Sequence, residues 1–143
     1  MSDFRFSTEV TVRFAETDAQ GVAHNANYLV WFEVARVAYL AKYAGGYPAL
    51  REQGLESFVL ESHVRYRLPA HFDDRLHIHA RIGELRGARF RFDYEVRRNG
   101  EPLSSSTVRP TSSVGSGTFL MGGGPVTTSG AVSLTTRRCT GVP

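Results

Sequence analysis

Hydrophobic and polar positions change their period several times along the chain, and each change marks an element. Between Thr8 and Phe14, Val10, Val12 and Phe14 alternate with Glu9, Thr11 and Arg13, the period-two pattern of a half-buried strand. Glu16-Thr17-Asp18-Ala19-Gln20-Gly21 reads as a turn, and Asn25 is an N-cap candidate for the next element. From Asn27 to Tyr43 the pattern predicts a helix ended by Gly45-Gly46 and Pro48. Its apolar residues, among them Tyr28, Leu29, Trp31, Phe32, Val34 and Val37, cover nearly the full circumference; only Glu33, Arg36 and Lys42 are charged. A helix apolar on almost every side has to be enclosed. A curved sheet together with an oligomer contact would do this. Three alternating segments come next, Phe58 to Arg67, Leu76 to Ile82 and Phe90 to Arg97. Pro69-Ala70-His71-Phe72-Asp73-Asp74 and Leu85-Arg86-Gly87 turn the chain between them, and Asn99-Gly100 is a hairpin signal. A strand, a long buried helix and an antiparallel meander predict an α+β fold.

Composition narrows the class. A chain of 143 residues allows one domain, and 41% hydrophobic residues exclude wholesale disorder. No uncharged apolar run approaches the ~18 residues of a membrane span. Met1-Ser2-Asp3-Phe4-Arg5 lacks the plan of a signal peptide, and one cysteine, Cys139, builds neither an internal disulfide nor a Cys-based zinc cage. A cytoplasmic protein is the expectation. The net charge of +3 first suggests acidic partners, but all 14 acidic residues lie between Asp3 and Glu101 with 14 of the 17 basic ones. Arg109, Arg137 and Arg138 carry the whole surplus. Residues 104–143 contain no Asp, Glu, Lys or His, and 8 Ser, 8 Thr and 7 Gly dominate them. The charge thus describes a tail, and nucleic acid ranks last among partners.

The stretch from Val12 to Arg36 contains Thr17-Asp18-Ala19-Gln20-Gly21, Asn25-Ala26-Asn27-Tyr28-Leu29 and Phe32-Glu33-Val34-Ala35-Arg36. It resembles the opening of hotdog-fold acyl-CoA thioesterases, nearest to the 4-hydroxybenzoyl-CoA thioesterase family. Tyr66-Arg67-Leu68-Pro69-Ala70 and Gly87 to Val96 resemble later segments of that family, in the right order. The similarity covers about residues 8–108. It implies a long helix wrapped by an antiparallel sheet, homodimers or homotetramers with sites between subunits, and hydrolysis of a CoA thioester without cofactor or metal.

Thioester hydrolysis needs a supplied or activated nucleophile and stabilisation of the developing oxyanion. The resemblance assigns the first task to Asp18, as nucleophile or general base; read alone, Asp18 is equally a turn-forming residue. Unpaired N–H groups at a helix start carry partial positive charge, and the resemblance places the thioester carbonyl against the N–H around Asn25. His24, at a position where the family varies, and Tyr28 are candidate substrate contacts. Arg65, Arg67, Arg89 and Arg91 lie on polar strand faces, and Arg65 and Arg89 stand for the expected phosphate contacts. Glu33 and Arg36, at i and i+3, suggest an ion pair. His63, His77 and His79 read as surface or interface residues. Gly122-Gly123-Gly124 is not a P-loop, because no Lys-Ser/Thr comes after it.

After Val108 the family pattern stops. The resemblance implies a fifth strand near residues 102–114, inside the sheet, yet the segment carries Ser104, Ser105, Ser106 and Pro110, and proline lacks a ladder donor. The expected division is a hotdog thioesterase-like domain over 1–108 and an atypical Ser/Thr/Gly-rich tail over 109–143, either divergent or frame-shifted. The alternative function is a non-catalytic acyl-CoA-binding or scaffold protein on the same fold. Hydratase chemistry lacks its His–acid motif here.

Overall fold

The computed structural model describes residues 4–86 and 89–114, the last five of these by backbone alone. Gly87, Gly122-Gly123-Gly124, Cys139 and most of the expected tail lie outside the described residues. Five strands form one antiparallel sheet: β1 (Ser7–Thr11), β2 (Leu55–Tyr66), β3 (Arg75–Arg86), β4 (Arg89–Arg98) and β5 (Glu101–Val114). Their order across the sheet is β1-β3-β4-β5-β2. Helix α1 (Ala26–Ala44) packs on one face, and a short α2 (Gly46–Glu52) comes after it. This is the α+β arrangement that the periodicity predicts.

Alternation decides which residues meet the helix. Leu76, Ile78 and Ala80 of β3, and Phe92, Tyr94 and Val96 of β4, are buried, as residues at period two on one face must be. From α1, Tyr28, Trp31, Phe32, Ala35 and Leu40 face them. Phe32 stacks on Tyr94 with ring centroids 4.8 Å apart, and Tyr39 meets Phe92 edge-on at 5.3 Å.

Several boundaries differ from the sequence expectation. The first strand stops at Thr11, because Glu16 bonds back to Arg13 and folds Phe14–Glu16 into a 3-10 turn. Gly45, at φ 73°, ends α1 in the left-handed conformation. The chain then restarts as α2, which sequence reading missed: Pro48 lies in its first turn, where no backbone donor is required. Asn99 and Gly100 both have positive φ, at 51° and 85°, and close the β4–β5 hairpin as expected. A single chain leaves α1 half open. Leu29, Val30, Val34 and Val37 are 42–48% exposed, so the sheet covers one face only.

The segment that looked unsuited to an interior strand is β5, between β4 and β2. Pro110 faces Val59, where β2 bulges and the register shifts between Val59 and Glu61. On the other side the ladder passes from Phe92/Val108 to Arg89/Thr111 without a pair at Pro110. The β4 ladder therefore has no pair at Pro110, and on the β2 side its partner Val59 stands at the edge of the bulge. Ser104 and Ser106 face the core with Val108. The Ser106 hydroxyl donates to the His63 carbonyl at 2.9 Å, whereas the buried Ser104 hydroxyl has no partner among the described residues. An unsatisfied buried hydroxyl is costly. Ser104→Ala is expected to raise stability by up to about 1 kcal/mol, seen as a higher urea midpoint at unchanged slope; a lower midpoint would show that the hydroxyl is satisfied.

Candidate active site

The loop from β1 to α1 is stitched to itself and to the β2–β3 turn. Thr17 bridges Ala23, the Asp18 N–H donates to the Val22 carbonyl at 2.9 Å, and the Gly21 N–H to the Asp18 carbonyl at 2.9 Å. Gly21 takes φ 77°, a conformation that costs a residue with a Cβ. Val22 bridges His71, and the Ala23 N–H donates to the Ala70 carbonyl at 2.8 Å. The half-buried Asp18 carboxylate accepts the Gln20 N–H on Oδ1 at 2.8 Å. That is the turn-forming role. It occupies one oxygen, and Oδ2 meets no donor among the described residues.

Helix α1 begins immediately after this loop. Asn25 holds the N-cap position with helical φ −55° and ψ −31°, and its side chain makes no cap hydrogen bond. His24 supplies the cap instead: its Nδ1 accepts the Ala26 N–H at 3.2 Å. No acceptor faces the Asn25 N–H among the described residues, so it retains the partial positive charge of a helix start. The Tyr66 hydroxyl donates to the Asn25 carbonyl at 3.1 Å, and its ring meets Tyr28 edge-on at 5.0 Å. Tyr28 itself is 2% exposed. It sits behind Tyr66, in the core with Trp31 and Phe32.

Glu16 organises this junction, and sequence reading missed it. Its side chain is buried, with Oε2 accepting the Arg13 N–H at 2.8 Å and Oε1 accepting the Arg13 guanidinium at 3.0 Å and the Trp31 indole N–H at 3.2 Å. Its backbone carbonyl accepts the His24 N–H and the Asn27 side-chain amide, both at 2.8 Å. Burial pushes the Glu16 carboxyl up, but hydrogen bonds from Arg13 and Trp31 and the Arg13 charge outweigh it and hold the group below its ordinary 4.5. A charged residue in a turn reads as solvated, and nothing local announces its burial. Tyr66 opens a motif that the sequence singled out, but its contact with the start of α1 was not readable there.

The arginines divide between the ends of the sheet. Arg65 is exposed on the β2 face opposite Tyr66. Arg98 stands at the loop end, where its Nη1 lies 2.7 Å from Asp74 Oδ2. Arg89 begins the same strand and lies roughly 30 Å away along β4, so one chain does not bring it to Asp18. It lines an open crevice of about 380 Å³ with Leu60, Glu61, Glu84, Arg91 and Arg109. Arg91 pairs with Asp93 at 2.8 Å and Arg86 with Glu84. Arg89 and Arg109 have no carboxylate within 4 Å among the described residues.

Two smaller expectations change. Glu33 and Arg36 do not pair: Arg36 Nε donates to the Tyr47 hydroxyl at 3.1 Å, a half-buried partner preferred over a solvated carboxylate. His77 is exposed and His79 lies beside Phe4, with ring centroids 5.9 Å apart. Among the described residues, no group of three His, Cys, Asp or Glu side chains is placed to hold a metal ion, and no helix is long and apolar enough to cross a membrane.

Comparisons with known proteins bear on the family and the fold. The family model described as Thioesterase superfamily matches residues 20–105. Acyl-CoA thioesterase YbgC of Haemophilus influenzae is 36% identical over 110 residues, which are 76% of this chain and 81% of that protein. The crystal structure of hypothetical protein AQ1494 from Aquifex aeolicus superposes with a TM-score of 0.72 at 31% identity, covering 76% of this chain and 88% of that one. A DHNA-CoA thioesterase from Staphylococcus aureus gives 0.71 at 28% identity, covering 76% and 73%.

The lowered Glu16 carboxyl makes a prediction about acid. A group whose folded value lies below its unfolded value stabilises the fold fully above the unfolded value, and that stability is lost as pH falls through the folded one. Stability should therefore decline as pH drops below the ordinary 4.5. In Glu16→Gln the decline should be shallower, measured by urea unfolding at a series of pH values; identical slopes would remove Glu16 from the acid response.

Proposed function

The chain belongs to the thioesterase superfamily, and from that premise we propose that Asp18 and the start of α1 hydrolyse the thioester of an acyl-CoA, releasing the free acid and CoA. It is an acyl-CoA thioesterase. The observation that carries the site assignment is the loop–helix junction itself. There, a carboxylate with one uncommitted oxygen lies on the loop leading into a helix start whose first N–H is free.

In this reading the thioester carbonyl oxygen accepts the Asn25 N–H. Asp18 either attacks the carbonyl carbon, giving an aspartyl anhydride that water then hydrolyses, or removes a proton from the water that attacks; in both routes the carbon–sulfur bond breaks, CoA leaves as the thiolate and takes up the proton that the water gives up, and the acyl group ends as the free acid. A preorganised N–H aimed at the oxyanion is worth about 3 kcal/mol. His24, fixed by its bond to the Ala26 N–H, and Arg65 stand at the rim as substrate contacts, with Tyr28 behind Tyr66 as the wall. Arg89 and the crevice around it would take the CoA phosphates. Because Arg89 lies at the far end of β4, it serves a site only if another subunit brings it there. The exposed Val30, Val34 and Val37 stripe and the exposed Phe58, Val59 and Leu60 on the edge strand β2 support a homodimer or homotetramer, which a solution mass of two or four times 15.8 kDa would establish. A cytoplasmic location belongs to the same proposal, since the charged substrate does not cross a bilayer unaided.

Hydrolysis across short, long and aromatic CoA esters tests the assignment. Asp18→Asn is expected to lower kcat by roughly 10²–10⁴ with little change in KM. Arg89→Ala should raise KM for CoA esters and leave pantetheine thioesters, which lack the nucleotide, unaffected. Full activity in Asp18→Asn would refute the catalytic assignment.

A further inference from the structure

We infer that Glu16 is a positioning residue for hydrolysis, holding the Asp18 loop and the first turn of α1 in fixed relation; the inference rests on the roles proposed above for Asp18 and Asn25. Its carboxylate does not reach the substrate side. Glu16 is 5% exposed, and its carboxylate and carbonyl together hold three pieces of chain. Through Trp31 it holds α1, six residues beyond Asn25. Through the Arg13 N–H and guanidinium it holds the end of the segment after β1. Its own carbonyl holds His24 and Asn27 on either side of Asn25. Asp18 stands two residues later on a loop whose far end, at Ala23, is bonded to Ala70. The relative placement of Asp18 and the Asn25 N–H thus passes through one carboxylate and one carbonyl of the same residue.

A carboxylate is required by the donor set. Three N–H donors converge on two oxygens, one on Oε2 and two on Oε1, and a carboxylate accepts at both. Glutamine keeps an acceptor for two of these donors but turns an amide against the third or leaves it unpaired. The change is small in volume and confined to geometry, and displacements near 1 Å are enough to reduce turnover heavily.

The test compares wild type, Glu16→Gln, Trp31→Phe and the double variant, with Asp18→Asn as reference, in steady-state hydrolysis of a CoA ester that the wild type cleaves. Circular dichroism and thermal unfolding check each variant. Glu16→Gln should lower kcat by roughly tenfold to a hundredfold with KM within about threefold, a split that loss of substrate binding would not produce. Trp31→Phe removes one donor and leaves the Arg13 bonds, so its loss should be smaller. The double variant should lose less than the product of the two single losses, because both disturb the same set of bonds around one carboxylate. Folded Glu16→Gln with wild-type kcat overturns the inference, as does multiplicative loss in the double variant. If Glu16→Gln does not fold, Trp31→Phe decides: a lowered kcat at unchanged KM supports positioning, and wild-type kcat overturns it. Full activity in Asp18→Asn instead defeats the underlying assignment, and is read independently of the Glu16 variants.

Discussion

The molecule is organised by the burial of one face of α1 against the inner strands of the sheet. Phe32 on Tyr94 and Tyr39 on Phe92 are contacts between a helix of period 3.6 and strands of period two. They fix how the helix lies across β3 and β4. Once it lies that way, its N-terminus is brought to the end of the sheet where β2 runs into β3, and the β1–α1 loop has to reach the same place. The candidate site is a consequence of that packing, since both of its proposed groups are carried by backbone the packing has positioned.

Polar contacts then finish what apolar burial begins. The hydrophobic effect has no preferred direction, so it cannot by itself set a carboxylate against a helix end. The Glu16 side chain and carbonyl, the His24 ring and the Tyr66 hydroxyl together occupy donors and acceptors around the first turn of α1. They leave open the Asn25 N–H and one oxygen of Asp18. An opening of this kind at a helix start favours developing negative charge.

The fifth strand shows how a sheet accommodates poor strand residues. A proline in an interior strand is costly only where a ladder bond is due; the β4 ladder has no pair at Pro110, and on the β2 side its partner Val59 adjoins the bulge. Ser106 is satisfied by the His63 carbonyl across the strand, and Ser104 has no partner among the described residues. Phe58, Val59 and Leu60 are exposed together on the edge strand β2. With the open side of α1, that surface is apolar area a monomer would leave in water.

Much of the fold was readable from residue order. Alternation located β3 and β4 and the inward rows Leu76, Ile78, Ala80 and Phe92, Tyr94, Val96, because period two is a property of the extended backbone itself. Helical length, the Gly45 stop and the Asn99-Gly100 turn are likewise local, set by the steric limits of single residues. The motif from Thr17 to Arg36 carried the family and its chemistry. Only the tertiary structure decided that Glu16 is buried and Asn25 uncapped, that Arg36 prefers Tyr47 to Glu33, and that Pro110 falls in a gap of the β4 ladder beside the bulge in β2. In each case the outcome depends on which partner arrives from elsewhere in the chain, and a hydrogen bond or an ion pair is decided by proximity in space, which the spacing of residues along a sequence does not encode.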